Sequence, residues 1–202
     1  MIITISRTYG SGGRVMGKAL AEKLGWKFYD RELMRMMSDE TGINEGLFGE
    51  SDEKLKKTYI GTDTSWKEEN EALPPSDKKY SSEENLFKLQ AKMIRKLADT
   101  ENCVIMGRVA DAVLAGREDV IRVFCYASHE DCVKRAMEVC GLGEKETEKR
   151  IAEVDKFRAA YYKHFTGCAF DDARNYDLCI NTGSRPVETL VEFVLGYVNT
   201  CK

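Results

Sequence analysis

The stretch Ser6-Arg7-Thr8-Tyr9-Gly10-Ser11-Gly12-Gly13-Arg14 concentrates the residue types that hold an anion. Glycines let the backbone turn tightly and aim successive amide N–H groups at one point, and a helix N-terminus adds its dipole. The apolar run Ile2–Ile5 precedes the stretch, and helical periodicity follows it. Strand, glycine loop and helix in that order read as a phosphate-binding loop, with a bare strand–helix turn as the alternative. The pattern GxxxxGK[ST] fits in two registers. Gly12, Gly17, Lys18 and Ala19 supply the lysine but no hydroxyl. A loop from Arg7 to Arg14 places Gly12 correctly, puts Gly13 at the lysine position and replaces the Ser/Thr with Arg14. Val15 and Met16 read as part of the helix's apolar face, which favours the second register. Its phosphate contacts are then Arg7, Gly10, Ser11, Gly12, Gly13 and Arg14, with guanidinium forks in place of an ammonium.

Other charged residues sit where ligands of open α/β sheets gather. Arg108 directly follows the apolar run Cys103–Met106, a position suited to an acceptor phosphate, the alternative being a surface ion pair. Asp30 ends the short run Lys27–Tyr29, and Arg31 and Arg35 share a helical face beside it. Arg150, Asp155 and Arg158 also fall on one helical face, functional or merely solvated. His129 and His164 lack metal-ligand spacing, and no residue is nominated as a metal ligand.

These groups need a scaffold. Ile2–Ile5, Cys103–Met106 and Val120–Tyr126 read as strands, with a weaker one at Asp177–Asn181 and a fragment at Lys27–Tyr29. Several are apolar throughout, as parallel strands covered on both faces require. Helical patterns separate them: Val15, Met16, Ala19, Leu20 and Leu24; a start at Ser128 running to about Val139; and Val187 through Val198, with Pro186 near its first turn. The alternation predicts an α/β protein with a parallel sheet flanked by helices in one domain, 1–202. Polar Thr58–Ser82, carrying Pro74-Pro75, breaks the alternation as a loop or mobile insert. The 31 Lys plus Arg against 34 Asp plus Glu give a net charge of -3, which argues against general nucleic-acid binding. No apolar run reaches the ~18 residues of a membrane helix. Seven cysteines without CxxC spacing point to free thiols and a cytoplasmic setting.

The opening run ITISRTYGSGGRVMGKALAEKLGWKFYDREL resembles that of the cytidylate kinase-like family. The resemblance recurs at Val104–Arg108, Val123–Ala136, Arg150–Gly167 and Asn175–Thr182, and so spans nearly the whole chain except Thr58–Ser82. It implies the P-loop nucleoside-monophosphate kinase fold, with 31–100 as a helical acceptor-binding insert and 128–167 as an arginine-bearing lid. It also implies transfer of the ATP γ-phosphoryl group to CMP or dCMP with Mg. Arg135 matches the family's arginine at the lid entrance. With Arg14, it and Arg158 form the expected catalytic set. Asp30, Arg31, Arg35, Arg108 and Asp155 form the expected acceptor site. Three family features differ here: the loop lysine is absent, Arg31 replaces the serine after Asp30, and Gly-Arg-Asp becomes Gly107-Arg108-Val109.

Overall fold

The computed structural model describes residues 1–48, 61–67 and 72–201. Five strands form one parallel sheet. They are β1 (Ile2–Arg7), β2 (Lys27–Tyr29), β3 (Cys103–Met106), β4 (Val120–Tyr126) and β5 (Leu178–Asn181), in the order β2-β3-β1-β4-β5. The expected strands are present, β1 running on to Arg7 and β5 beginning one residue late. Central β1 pairs with both β3 and β4, so Ile2, Ile3 and Ile5 lie buried between two helical layers. Since all strands run one way, Arg7, Tyr29, Met106, Tyr126 and Asn181 end at one edge of the sheet.

The helices are α1 (Gly13–Leu24), α2 (Glu32–Thr41), α3 (Glu83–Thr100), short α4 (Ala110–Val113), α5 (His129–Cys140), α6 (Glu144–Thr166) and α7 (Val187–Thr200). One sheet face packs Ile3, Ile5, Val104 and Val123 against Met16 and Leu20 of α1 and Leu190, Val191 and Val194 of α7. The other face packs Ile2 and Ile105 against α2, α3 and the C-terminal half of α6, including Phe157, Tyr161 and Phe165. Phe87 of α3 stacks on Phe165 with ring centroids 3.9 Å apart. The N-terminal half of α6 belongs elsewhere: Ile151 joins Cys132, Val133 and Ala136 of α5 in a small separate cluster. Helix α6 thus starts in that cluster and ends in the main core.

Three details depart from the sequence reading. Val15 is 61% exposed, because only Met16 and Leu20 of its expected stripe turn fully into the sheet. Cys179, expected in an apolar run, is exposed on edge strand β5, where no further strand covers it. The described parts of the expected insert are docked onto the core. Trp66 is buried and donates its indole N–H to the Phe165 carbonyl at 2.7 Å, while the Asp63 amide donates to His164 O at 2.7 Å. Residues 58–60 and 68–71 of that insert lie outside the described residues.

Candidate active site

The loop between β1 and α1 is shaped by close approach as well as by turning. Gly10 and Gly12 have φ of 74° and 86°, in the left-handed region that glycine enters without penalty. A Cβ on Gly10 would lie 2.4 Å from the Cys132 carbonyl oxygen, and one on Gly13 would lie 2.8 Å from Cys125 Cβ. Helix α5 and strand β4 therefore press on the loop from both sides. Helix α1 begins at Gly13 with Gly12 as its cap; the cap has no side chain to offer, and the Gly13 amide donates to Ser11 Oγ at 3.4 Å. This N-terminus, where an anion is favoured, sits at the C-terminal edge of the sheet, and its Val15 and Met16 amides bond back to Gly12 O at 3.0 and 3.1 Å. Ser11 is buried and gives its hydroxyl to Thr8 O at 2.9 Å. Val15 through Ala19 already lie within α1. Lys18 points to solvent and meets Glu22 at 3.8 Å, while Gly17 packs against Ile5. The loop consequently ends before Arg14, and no loop spans Gly12–Ala19.

Arginines from two helices reach this loop. Arg135 of α5 donates from Nη1 to Ser11 O at 2.6 Å and from Nη2 to Thr182 O at 2.9 Å. Thr182, just past β5, also donates its hydroxyl to Ser11 O. Arg158 of α6 donates to Arg7 O at 3.3 Å and pairs with Asp155 at 3.5 Å. The Asp155 carboxylate accepts the Tyr9 amide at 2.8 Å. Burial raises the Asp155 carboxyl above the usual carboxylate range, while the Tyr9 N–H and the nearby Arg158 and Arg7 pull it down. The Tyr9 ring lies under two guanidinium groups, Arg158 at 5.7 Å and Arg150 at 5.8 Å from its centroid.

The β3–α4 turn closes the other side. Gly107, Arg108 and Val109 take φ of 67°, 62° and 56°, and the last two are the only non-glycine residues with positive φ among the described residues. Such a conformation costs on the order of 1–3 kcal/mol per residue and persists where the surroundings impose it. Here Gly107 N–H is tied to Ile5 O at 2.8 Å, and the Arg7 guanidinium lies where a Gly107 side chain would be. Arg108 is buried: Nη1 donates to Phe48 O at 3.0 Å and Nη2 contacts Met34 Sδ at 2.9 Å. Arg7, Arg108, Phe157, Arg158 and Tyr161 line a cleft of about 30 Å³, room for a water or two.

Two other expected residues meet at the rim, where Arg14 Nε donates to Asp30 Oδ2 at 2.5 Å. Arg31, the cap of α2, and Arg35 on that helix are both exposed. The structure thus groups Arg7, Gly10–Gly13, Arg135, Asp155 and Arg158 around the loop, Arg108 beneath the cleft, and Arg14 with Asp30 at its edge. Among the described residues no three His, Cys, Asp or Glu side chains converge as a metal site.

A family model described as the cytidylate kinase-like family matches residues 2–184. The chain belongs to this family. It is accordingly an ATP-dependent phosphotransferase, a nucleotide kinase with the P-loop fold. The cytidylate kinase of Methanopyrus kandleri is 26% identical over 191 residues, spanning 90% of this chain and 84% of that one. Two solved structures share the fold. An uncharacterized protein from Eubacterium ventriosum has a TM-score of 0.72 at 24% identity, with 98% of each chain covered. Shikimate kinase from Bacteroides thetaiotaomicron has a TM-score of 0.58 at 16% identity, again with 98% of each chain covered.

Sequence reasoning missed several residues around this kinase site. Tyr9 receives both lid-side arginines. Thr182 completes the Arg135 clamp. Asp111, two residues beyond Val109, is buried and accepts from Tyr162 OH at 2.7 Å and from Ser6 Oγ at 3.4 Å. A lone carboxylate inside the apolar stretch Val109–Leu114 was the available signal for it, since burying a charge demands partners.

Proposed function

We propose that the protein transfers the γ-phosphoryl group of Mg·ATP to CMP or dCMP. The observation that carries this reading is the convergence of Arg7, Arg135 and Arg158 on a glycine loop at the C-terminal edge of the sheet. Phosphoryl transfer asks a protein mainly for positioning and charge neutralisation, and such a cluster supplies both. The loop amides and the first turn of α1 would hold the donor phosphates. An acceptor phosphate oxygen attacks the γ-phosphorus, the bond to the bridging β–γ oxygen breaks, and ADP leaves. Magnesium neutralises phosphate charge and enters as part of the Mg·ATP substrate. That fits a loop whose usual hydroxyl position is Arg14 and whose Ser11 hydroxyl is already given to Thr8 O.

In this reading residues 128–167 are the lid and 31–100 the acceptor lobe. Arg135 and Arg158 clamp the transferring group. Asp30, Arg31, Arg35, Arg108 and Asp155 serve the acceptor, and Arg14 joins the loop to Asp30. The family relationship and the cytidylate kinase relative support cytosine as the base. Arg31 beside Asp30 alters the acceptor side, so discrimination against UMP is expected to be weaker than in a typical cytidylate kinase. Seven free thiols suit a reducing cytoplasm. The test is ADP release with CMP, dCMP, UMP, AMP and GMP under saturating Mg·ATP. CMP or dCMP should give the highest kcat/KM. A purine preference overturns the acceptor assignment, and tight ADP binding without turnover of any of the five overturns the catalytic one.

A further inference from the structure

A second cavity, of about 420 Å³, lies on the α3 and α6 side of the sheet, away from the glycine loop. It is far larger than the cleft beside the loop and falls within the size range of small-molecule sites. The two share only Tyr162 as a wall. Three arginines from separate elements line the second cavity. Arg95 comes from α3, Arg122 from β4 and Arg174 from the segment before β5.

Each guanidinium is held yet keeps donors in reserve. Arg95 spends Nη2 on the Trp66 carbonyl at 3.4 Å and stacks 5.7 Å from the Trp66 centroid. Arg122 grips Asp177 through Nε at 3.1 Å and Nη2 at 2.8 Å. Arg174 grips Asp172 through Nε at 2.9 Å and Nη2 at 2.6 Å, with its side chain 89% exposed at the mouth. The Nη1 group of each has no hydrogen-bond partner among the described residues. Carboxylates fix two of the forks and Trp66 the third, without using all their donors. Asp111 is the one acid in the wall. Burial raises its carboxyl above the usual carboxylate range, against the hydrogen bonds from Tyr162 and Ser6, and both of its oxygens are engaged by those hydroxyls.

We infer that this cavity is a second ligand site, separate from the kinase centre, for a small phosphate-bearing anion. Guanidinium forks match phosphate oxygens in pairs, and three converging forks favour a multiply charged phosphate over a single carboxylate. The inference does not rest on the CMP kinase reading.

Trp66 provides the reporter. The chain has two tryptophans, so Trp26→Phe leaves Trp66 as the sole emitter. Titrating that protein with pyrophosphate should change Trp66 emission saturably at millimolar concentration or below. Arg95→Gln and Arg174→Gln should each weaken the response about tenfold or more, the effect of removing a charged donor. Arg158→Ala, at the kinase centre, should leave it unchanged. Arg174→Gln alters an exposed side chain and keeps the test readable if Arg95→Gln unfolds. Parallel titrations with inorganic phosphate and CMP distinguish a free phosphate from a nucleotide as the tighter ligand. No saturable change, a response lost in Arg158→Ala, a response intact in both glutamine variants, or equal binding of citrate would overturn the proposal.

Discussion

Arg135→Ala removes a side chain that ties α5 to both the glycine loop and the residue after β5. Its guanidinium bridges Ser11 O and Thr182 O at 2.6 and 2.9 Å. A hydrogen bond from a charged donor is worth about 1.5–3 kcal/mol. Arg135 is half-buried, so water replaces part of the pair, and about 3 kcal/mol is a fair expectation for the two together. If the same fork meets charge developing on the transferring phosphoryl, the loss appears in kcat and amounts to roughly two orders of magnitude. Arg135→Lys keeps the charge but cannot span both carbonyls, so turnover should fall between the two. The assay is steady-state ADP release at saturating ATP, with urea unfolding of each variant alongside. Turnover of Arg135→Ala within about threefold of wild type would refute the clamp. So would a rise in KM for ATP with kcat unchanged, because the interaction would then be made equally in ground and transition states.

Arg14→Ala should weaken ATP binding more than Lys18→Ala in calorimetry, since Lys18 faces solvent on α1 while Arg14 stands at the loop and holds Asp30; the reverse order would remove Arg14 from the donor site. Gly10→Ala should destabilise by about 2–4 kcal/mol in urea unfolding, from a left-handed φ of 74° plus a clash with Cys132 O. Gly25→Ala, at φ 67° with open space around it, should cost only about 1–2 kcal/mol, and equal losses would mean that α5 does not press on the loop. Asp111→Asn should flatten the pH dependence of stability. A carboxyl raised by burial favours folding below its ordinary pKa of about 3.9, and that advantage is lost as pH rises through its native value. Unfolding midpoints of the variant and wild type from about pH 4 to 7 check this, and identical slopes would show that Asp111 does not titrate there.

What could be read from the sequence was whatever local pattern decides. The sheet was legible because Ile2–Ile5 and Cys103–Met106 are apolar at every position, a pattern that suits a strand covered on both sides. The glycine loop was legible from its place between strand and helix, and Met16 fixed where α1 must begin. Partners of charged side chains were not legible, because they depend on how distant elements meet. The sequence allowed Arg108 to be a surface ion pair or a phosphate ligand. The left-handed turn at Gly107–Val109 buries it in the cleft wall, against Phe48 O, which rules out the surface placement. The glycines misled in part as well. They suggested an anion or a bare strand–helix turn, whereas Gly10 and Gly13 are also required by the close Cys132 carbonyl and Cys125. Nothing in the sequence tied Tyr9 to distant arginines, and only the fold brings Arg150 and Arg158 onto its ring.

The placement of α6 explains how such a site can be both firm and able to admit a nucleotide. Its C-terminal half is locked by Phe157, Tyr161, Tyr162 and Phe165, all buried in the main core. Its N-terminal half is held to α5 by a cluster whose buried members are Cys132, Val133, Ala136 and Ile151. Segments with few buried apolar contacts open at lower free energy than the core they adjoin. Asp155 and Arg158 lie next to the junction between the two regimes, and both are bonded to the loop rather than to the core, through Tyr9 N and Arg7 O. Those two bonds are made to backbone groups beside the anion-binding amides. A phosphate arriving there competes with a carboxylate for the same kind of donor and offers Arg158 a stronger acceptor than a carbonyl. If the loop holds a phosphate, the two contacts that tie α6 to it are ones that phosphate could exchange. The aromatic packing at the other end of α6 would keep Arg158 within reach during such an exchange.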